Sequence, residues 1–244
     1  MEVSKKITNP HHKEILKLIV SLSGQATEHT FLDSYLGNSN PRYAINAPTL
    51  RTIAKEWIKD HREVSSAQFE KLLTSLIKGV SSTEKCMAGV LLDASTKEQR
   101  KFNPKVFEAW LDHLQGWAEI DTVCTGQYSK TEIPSNFKIW RPILTRLSKS
   151  KNINKRRASL ALLCSPVRKA HDSKIAETAF QIIDRLKGEK EILITKAISW
   201  LLRSMVKLYK TNVQHYVDQN ETLLPKIALR ETRTVLLTGK KTSR

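Results

Sequence analysis

"EKEILITKAISWLLRSMVKLY", Glu189 to Tyr209, is the longest run in the chain that reads with helical periodicity. Its apolar residues recur at three- and four-residue intervals, the period of an amphipathic helix and not the alternation of a strand. Downstream, two further helices are expected from about residues 211 and 224, leading into a basic tail, "TGKKTSR", expected to be disordered. Upstream the same signature repeats almost without a break. "SKIAETAFQIIDRLKG" starts at Ser173 with Asp172 or Ser173 as its cap, and "INKRRASLALLCS" and "SNFKIWRPILTRLSKS" precede it, after a loop expected around Pro134. Pro104 opens "PKVFEAWLDHLQG", and Gly116 separates that helix from the next. "STEKCMAGVLLDAS" and "SAQFEKLLTSLIKG" each begin at a serine, while Pro48 sits in the first turn of a helix with Leu50, Ile53, Ala54, Trp57 and Ile58 on its apolar face. "HHKEILKLIVSLSG" and "ATEHTFLDSYLG" end at Gly24 and Gly37, where a helix C-terminus favours glycine.

No strand alternation interrupts the series, and helix pairs succeed one another at roughly 35 to 45 residues, the spacing of HEAT- or armadillo-like stacking. The expectation is an all-α fold, an α-solenoid of HEAT-like helical repeats with a concave basic face, with an irregular helical bundle as the alternative. No shift in composition marks a linker, so residues 1–237 are expected to form one domain and 238–244 the tail.

Composition agrees with helices. Gly and Pro number only 8 each in 244 residues, too few for a turn-rich sandwich or barrel. Hydrophobic residues make up 40% and charged residues 27%, which suits a globular chain rather than a disordered one. Lys and Arg total 41 against 24 Asp and Glu, a net charge of +17 that calls for a polyanionic partner. Nucleic acid is the commonest such partner, with an acidic protein or membrane surface as the other candidates.

Several chemistries find no support. Cys86, Cys124 and Cys164 are odd in number and far apart, without a CxxC pair, which speaks for a reducing compartment and against a zinc or disulfide framework. His11 and His12 are adjacent and point to different faces of a helix; no HExxH occurs, so no metal is expected. GxxxxGK[ST], GxGxxG and GxSxG are all missing, so no nucleotide cofactor and no acyl-transfer serine is expected. No signal peptide is expected from the N-terminal residues, and no apolar run approaches the 18 residues or so that a membrane span needs. A cytoplasmic monomer is the expectation.

Three stretches carry residues suited to chemistry. In "GWAEIDTVC", Ile120 and Val123 fit a core face, while Trp117 and Asp121, four apart, form a second stripe. In "NINKRRASLALLC", Arg156 and Arg157 lead straight into an apolar half, so at least one guanidinium lies at the core boundary. In "LITKAISWLLRSM", Lys196, Trp200 and Arg203 share one face at i, i+4 and i+7. Core packing and cation–π brackets would explain each alone. Together they offer cations for phosphate, aromatics for sugar or base, and one carboxylate that phosphate would repel.

With these motifs in hand, the chain resembles, over nearly its whole length, the AlkD-type DNA alkylation repair glycosylases, the HEAT-like repeat DNA glycosylase family. Trp117 and Asp121 match the family's Trp-x-x-x-Asp pair, Arg157 in "KRRAS" its arginine before a small-residue helix, and "KAISWLLR" its helix with a second tryptophan, here Trp200. "YLGNSNPRYAINAPTLR" resembles the segment closing the first helical pair, and "ALRETRTVL" the last helix. Ile45 follows Ala44 where the family often has glycine, and "NINK" lacks the aromatic often found before the arginine. The resemblance implies hydrolysis of the N-glycosidic bond of cationic alkylated purines in double-stranded DNA, without a cofactor. It implies catalytic roles for Asp121, Trp117 and Trp200, and DNA contacts from Arg157, Arg156, Arg203, Lys196, Tyr35 and Arg51. The competing class is a non-catalytic HEAT-like scaffold that holds DNA or protein.

Overall fold

The helices begin where the sequence supplies caps. Asn9 starts α1 (Pro10–Ser23), its side chain accepting from His12 N at 3.1 Å. Asn46 does the same for α2 (Ala47–Asp60), accepting from Thr49 N at 2.9 Å, with a proline in the first turn. Ser65 and Ser81 open α3 (Ser66–Ile77) and α4 (Ser82–Ala94) with full capping boxes closed by Gln68 and Glu84. A cap of this kind is worth about 1 kcal/mol. The computed structural model describes residues 7–28 and 37–241. Its remaining helices are α5 (Val106–Trp110), α6 (Gly116–Cys124), α7 (Gln127–Ser135), α8 (Phe137–Ser148), α9 (Ile153–Cys164), α10 (Pro166–Lys169), α11 (Ser173–Leu186), α12 (Ile192–Gln219) and α13 (Lys226–Thr238). The fold is all-α; among the described residues the one β-type pairing is an isolated antiparallel bridge between Thr27 and Arg42.

The chain divides into two compact units, one ending at Tyr128 and the other beginning at Ser129. In the first, α4 is the hub and packs on α2, α3 and α6. Ile53, Trp57, Leu72, Leu73, Met87, Leu91, Ile120 and Val123 fill the space between them. In the second, α9 is the hub, packed by α8, α11 and α12, and α12 packs on α13. Every residue of α9 from Arg157 to Cys164 is buried, as expected of a helix surrounded on all sides. Among the described residues no helix is long and apolar enough to cross a membrane.

Four expectations change. Of the helix expected over residues 26–37, Ala26 to Glu28 are not helical, because Thr27 exchanges backbone hydrogen bonds of 2.8 and 2.9 Å with Arg42; residues 29–36 lie outside the described residues. The helix expected from Pro104 shrinks to α5, since its hydrogen bonds shorten to three-residue spacing at Asp112 and His113. The loop expected around Pro134 is the last turn of α7: the proline removes one i→i−4 hydrogen bond there, and the helix ends at the next residue, Ser135. The helix expected from 211 is continuous with the one before it: α12 runs through, kinked at Tyr209 (φ −129°, ψ 37°). The Tyr209 hydroxyl accepts from Asp172 N at 2.7 Å and holds this kink against the start of α11.

Candidate active site

Asp121 lies half-buried in a cleft of about 220 Å³ in the first unit. Arg51 of α2 and Gly89, Val90 and Asp93 of α4 form one side, and Asp121, Thr122, Thr125 and Gly126 the other. One turn earlier on α6, Trp117 is 36% exposed, while Ile120, Val123 and Cys124 are buried in the core. The two faces read from the period of "GWAEIDTVC" are therefore real: one packs, and the other carries an indole and a carboxylate out of the core.

Backbone approach sets where α6 sits. A Cβ at Gly89 would meet the Thr122 carbonyl and lie 2.8 Å from Val123 N, so α4 and α6 cross with nothing between their backbones. The turn that follows is held just as closely. Gly126 takes φ +94°, and a side chain there would run into the Asp93 carboxylate, which accepts from Gln127 N. Asp93 thereby caps α7 and forms part of the cleft wall.

Behind the cleft, Glu119 is fully buried. It accepts from Asn38 Nδ2 at 2.7 Å, Asn40 Nδ2 at 3.0 Å and Gln115 N at 2.7 Å, tying the 38–40 segment to the N-terminus of α6. Burial pushes its carboxyl above the ordinary glutamate value, against the pull of Asn40, Gln115, Ser82 and Lys85. Lys85, buried as well, donates to the Ile77 and His113 carbonyls at 2.8 and 3.0 Å, and burial lowers its pKa. Sequence reading singled out none of Gly89, Asp93, Glu119 or Lys85. The "AGV" small-residue step in α4 was the one local sign of a close crossing. A second cleft in this unit, of about 890 Å³, lies away from Asp121 between α1, α3 and the start of α4.

The second unit holds the other expected residues. Arg157 is only 5% exposed, and its Nη1 donates to the Leu193 carbonyl, linking the start of α9 to the first turn of α12. Arg156 forms a bidentate pair with Glu189 at 2.7 and 3.0 Å and donates to the Ser150 and Lys151 carbonyls, both at 2.9 Å. Arg203 pairs with Glu231 of α13 at 3.2 Å, and Ser199 bridges the two. Lys196 and Trp200 are half-buried on α12. Arg156 and Arg203 thus have carboxylate partners that no local pattern announced. Tyr35 lies outside the described residues.

A model of the DNA alkylation repair enzyme family matches residues 21–236. The chain belongs to that family. Comparison with curated proteins finds no match. Among solved structures, this family member is similar to a predicted DNA alkylation repair enzyme from Enterococcus faecalis, at 18% identity and a TM-score of 0.68, over 85% of this chain and 93% of that one. At that identity the likeness speaks for the helical fold alone. Family membership supplies the function class, DNA alkylation repair. The match takes in α2, α4 and α6, the helices around Asp121, as well as α9 and α12, which carry Arg157 and Trp200.

Proposed function

We propose that the chain is an AlkD-type, monofunctional DNA glycosylase. It hydrolyses the N-glycosidic bond of N7-alkylguanine and N3-alkyladenine in double-stranded DNA, for base excision repair. The observation that carries this is the position of Asp121. A half-buried carboxylate lines a small cleft shared with Arg51, one helical turn after a 36%-exposed indole, in a chain of net charge +17.

A carboxylate there repels phosphate, and it contributes only if positive charge develops nearby. Purines alkylated at N7 or N3 are cationic. The bond from C1′ to the base breaks with its electron pair going to the base, which leaves neutral and needs no general acid. The sugar is left with oxocarbenium character, which Asp121 stabilises while orienting the water that adds at C1′ and gives up a proton. Trp117, and in the second unit Trp200, are assigned to the deoxyribose, where an aromatic face favours a cationic sugar over a neutral one. Arg51, Arg157 and Lys196 are assigned to phosphates. Arg156 and Arg203 were candidates for the same role; their carboxylate partners give them a bracing part in it, holding α9 and α12. No residue here is asked to supply a cofactor or a metal.

The test is release of free N7-methylguanine from a methylated duplex. Asp121→Asn keeps the size and loses the charge, and it should lower the rate at least about a hundredfold with DNA binding largely intact. Excision near the wild-type rate by that variant overturns the mechanism. A wild-type chain that binds the duplex but releases no base from any alkylated purine is a scaffold and not a glycosylase.

A further inference from the structure

At the N-terminus of α1 and the C-terminus of α2, three side chains far apart in sequence converge. The donor atoms of His11, Glu14 and His61 all lie within 4.8 Å of one another. Glu14 Oε2 is 3.5 Å from His11 Nδ1 and 3.6 Å from His61 Nε2. For a tetrahedral zinc ion with bonds of about 2.0 to 2.1 Å, the ligand-to-ligand edge is about 3.3 Å. Two of the three edges are therefore within a few tenths of an ångström of that length, and the third is no longer than 4.8 Å.

The surroundings orient the donors as metal ligands are commonly oriented. His61 Nδ1 lies 2.9 Å from the Trp57 carbonyl, which can only accept, so the proton sits on Nδ1. In the neutral ring the lone pair is then on Nε2, the atom facing Glu14. The His61 ring stacks on the Trp57 indole at 4.3 Å and 8°, and the His11 ring stands edge-on to His61 at 5.0 Å. Trp57 Nε1 also donates to Glu14 Oε2 at 3.3 Å, which fixes the carboxylate. Trp57 is 3% exposed, so this support is part of the core, whereas the three donor side chains are open to solvent at 28%, 45% and 21%.

We infer that His11, Glu14 and His61 form a binding site for a single divalent transition-metal ion of the zinc class, with water as its fourth ligand. Two imidazoles and one carboxylate suit zinc better than magnesium or calcium, which prefer oxygen throughout. The ion acts as a staple between the first turn of α1 and the end of α2. It stands apart from Asp121 and has no part in base release. A motif scan misses it because its ligands are three and then 47 residues apart along the chain, joined only by the packing of α1 on α2.

The experiment is calorimetric titration of the metal-stripped full chain with zinc chloride. One ion should bind at micromolar concentration and raise the thermal midpoint. His61→Phe keeps the stacking on Trp57 and removes the donor, and Glu14→Gln removes the charge; each should weaken binding at least about tenfold. Cobalt provides a second readout on the wild-type chain, independent of how the variants fold. Tetrahedral d–d absorption without a thiolate charge-transfer band supports the His–Glu–His set. Failure to bind zinc at micromolar concentration, unchanged isotherms in both variants, or a thiolate band from the cysteines each overturns it.

Discussion

Trp117 and Arg157 were both read from the sequence as residues that touch DNA, and the structure gives them opposite surroundings. Trp117 is 36% exposed on the first turn of α6, so its indole sits at the edge of the core with most of its surface still covered. Trp117→Ala should cost less than the roughly 3–5 kcal/mol of truncating a fully buried tryptophan, and should slow base release in the variant that remains folded. A large drop in midpoint would show the indole to be structural. Arg157 is 5% exposed and donates to the Leu193 carbonyl. Its loss removes a charge-assisted hydrogen bond to a half-buried carbonyl, at a cost of about 1.5–3 kcal/mol. Arg157→Ala should therefore lower the midpoint and also make the salt dependence of DNA binding shallower by about one unit. An unchanged salt slope in the folded variant removes Arg157 from phosphate contact and leaves it a purely structural guanidinium.

Among the elements, α4 decides where Asp121 sits, because α6 crosses it at Gly89 with backbone against backbone. Gly89→Ala places a methyl against the Thr122 carbonyl and Val123 N, neither of which can swing aside as a flexible side chain would. The helices must part, at a cost of about 1–3 kcal/mol from overpacking. Thr122 follows Asp121 directly, so the carboxylate moves with the displaced turn. The expected result is a lower midpoint together with loss of base release exceeding that of Trp117→Ala; full activity at wild-type stability would mean that α6 tolerates the shift. The ends of these elements were legible to different degrees. Ser66 and Ser82 and the proline in the first turn of α2 mark the starts correctly, while the capping serines are the residues just before them, Ser65 and Ser81. The ends of α5 and α7 and the kink at Tyr209 were not legible. The kink depends on contacts at long range, such as the Tyr209 hydroxyl held by Asp172, 37 residues away.

For the molecule as a whole, stability has a component tied to pH through the buried join of α1, α3 and α4. His12 and Glu84 are both 1% exposed; His12 Nε2 meets Glu84 Oε1 at 2.9 Å and His12 Nδ1 meets Ser75 Oγ at 2.8 Å. Burial alone would raise the Glu84 carboxyl, but the hydrogen bonds from His12 and Ser81 outweigh it and hold it below the ordinary glutamate value of 4.5. Between those two values the unfolded chain binds more protons, so the stabilisation from Glu84 is complete above 4.5 and is lost as pH falls through the lowered value. The midpoint of the wild-type chain should therefore exceed that of Glu84→Gln at neutral pH, with the difference closing on acidification through that range. A gap that stays constant in acid would remove Glu84 from the pH dependence.

The sequence alone determined the helical class, the starts of most helices, the basic charge, and the pairing of Trp117 with Asp121 on one face. All of these depend on neighbours within about one helical turn or on summed composition. Tertiary structure decided which partners those residues meet. Arg51, Gly89 and Asp121 come to one cleft from three helices. Arg156 finds Glu189 at a distance of 33 residues, and Arg203 finds Glu231 on another helix. His61 reaches Glu14 from the far end of α2. A helical period specifies the face on which a charge emerges, but the carboxylate, carbonyl or cleft opposite that face is set by how whole helices pack.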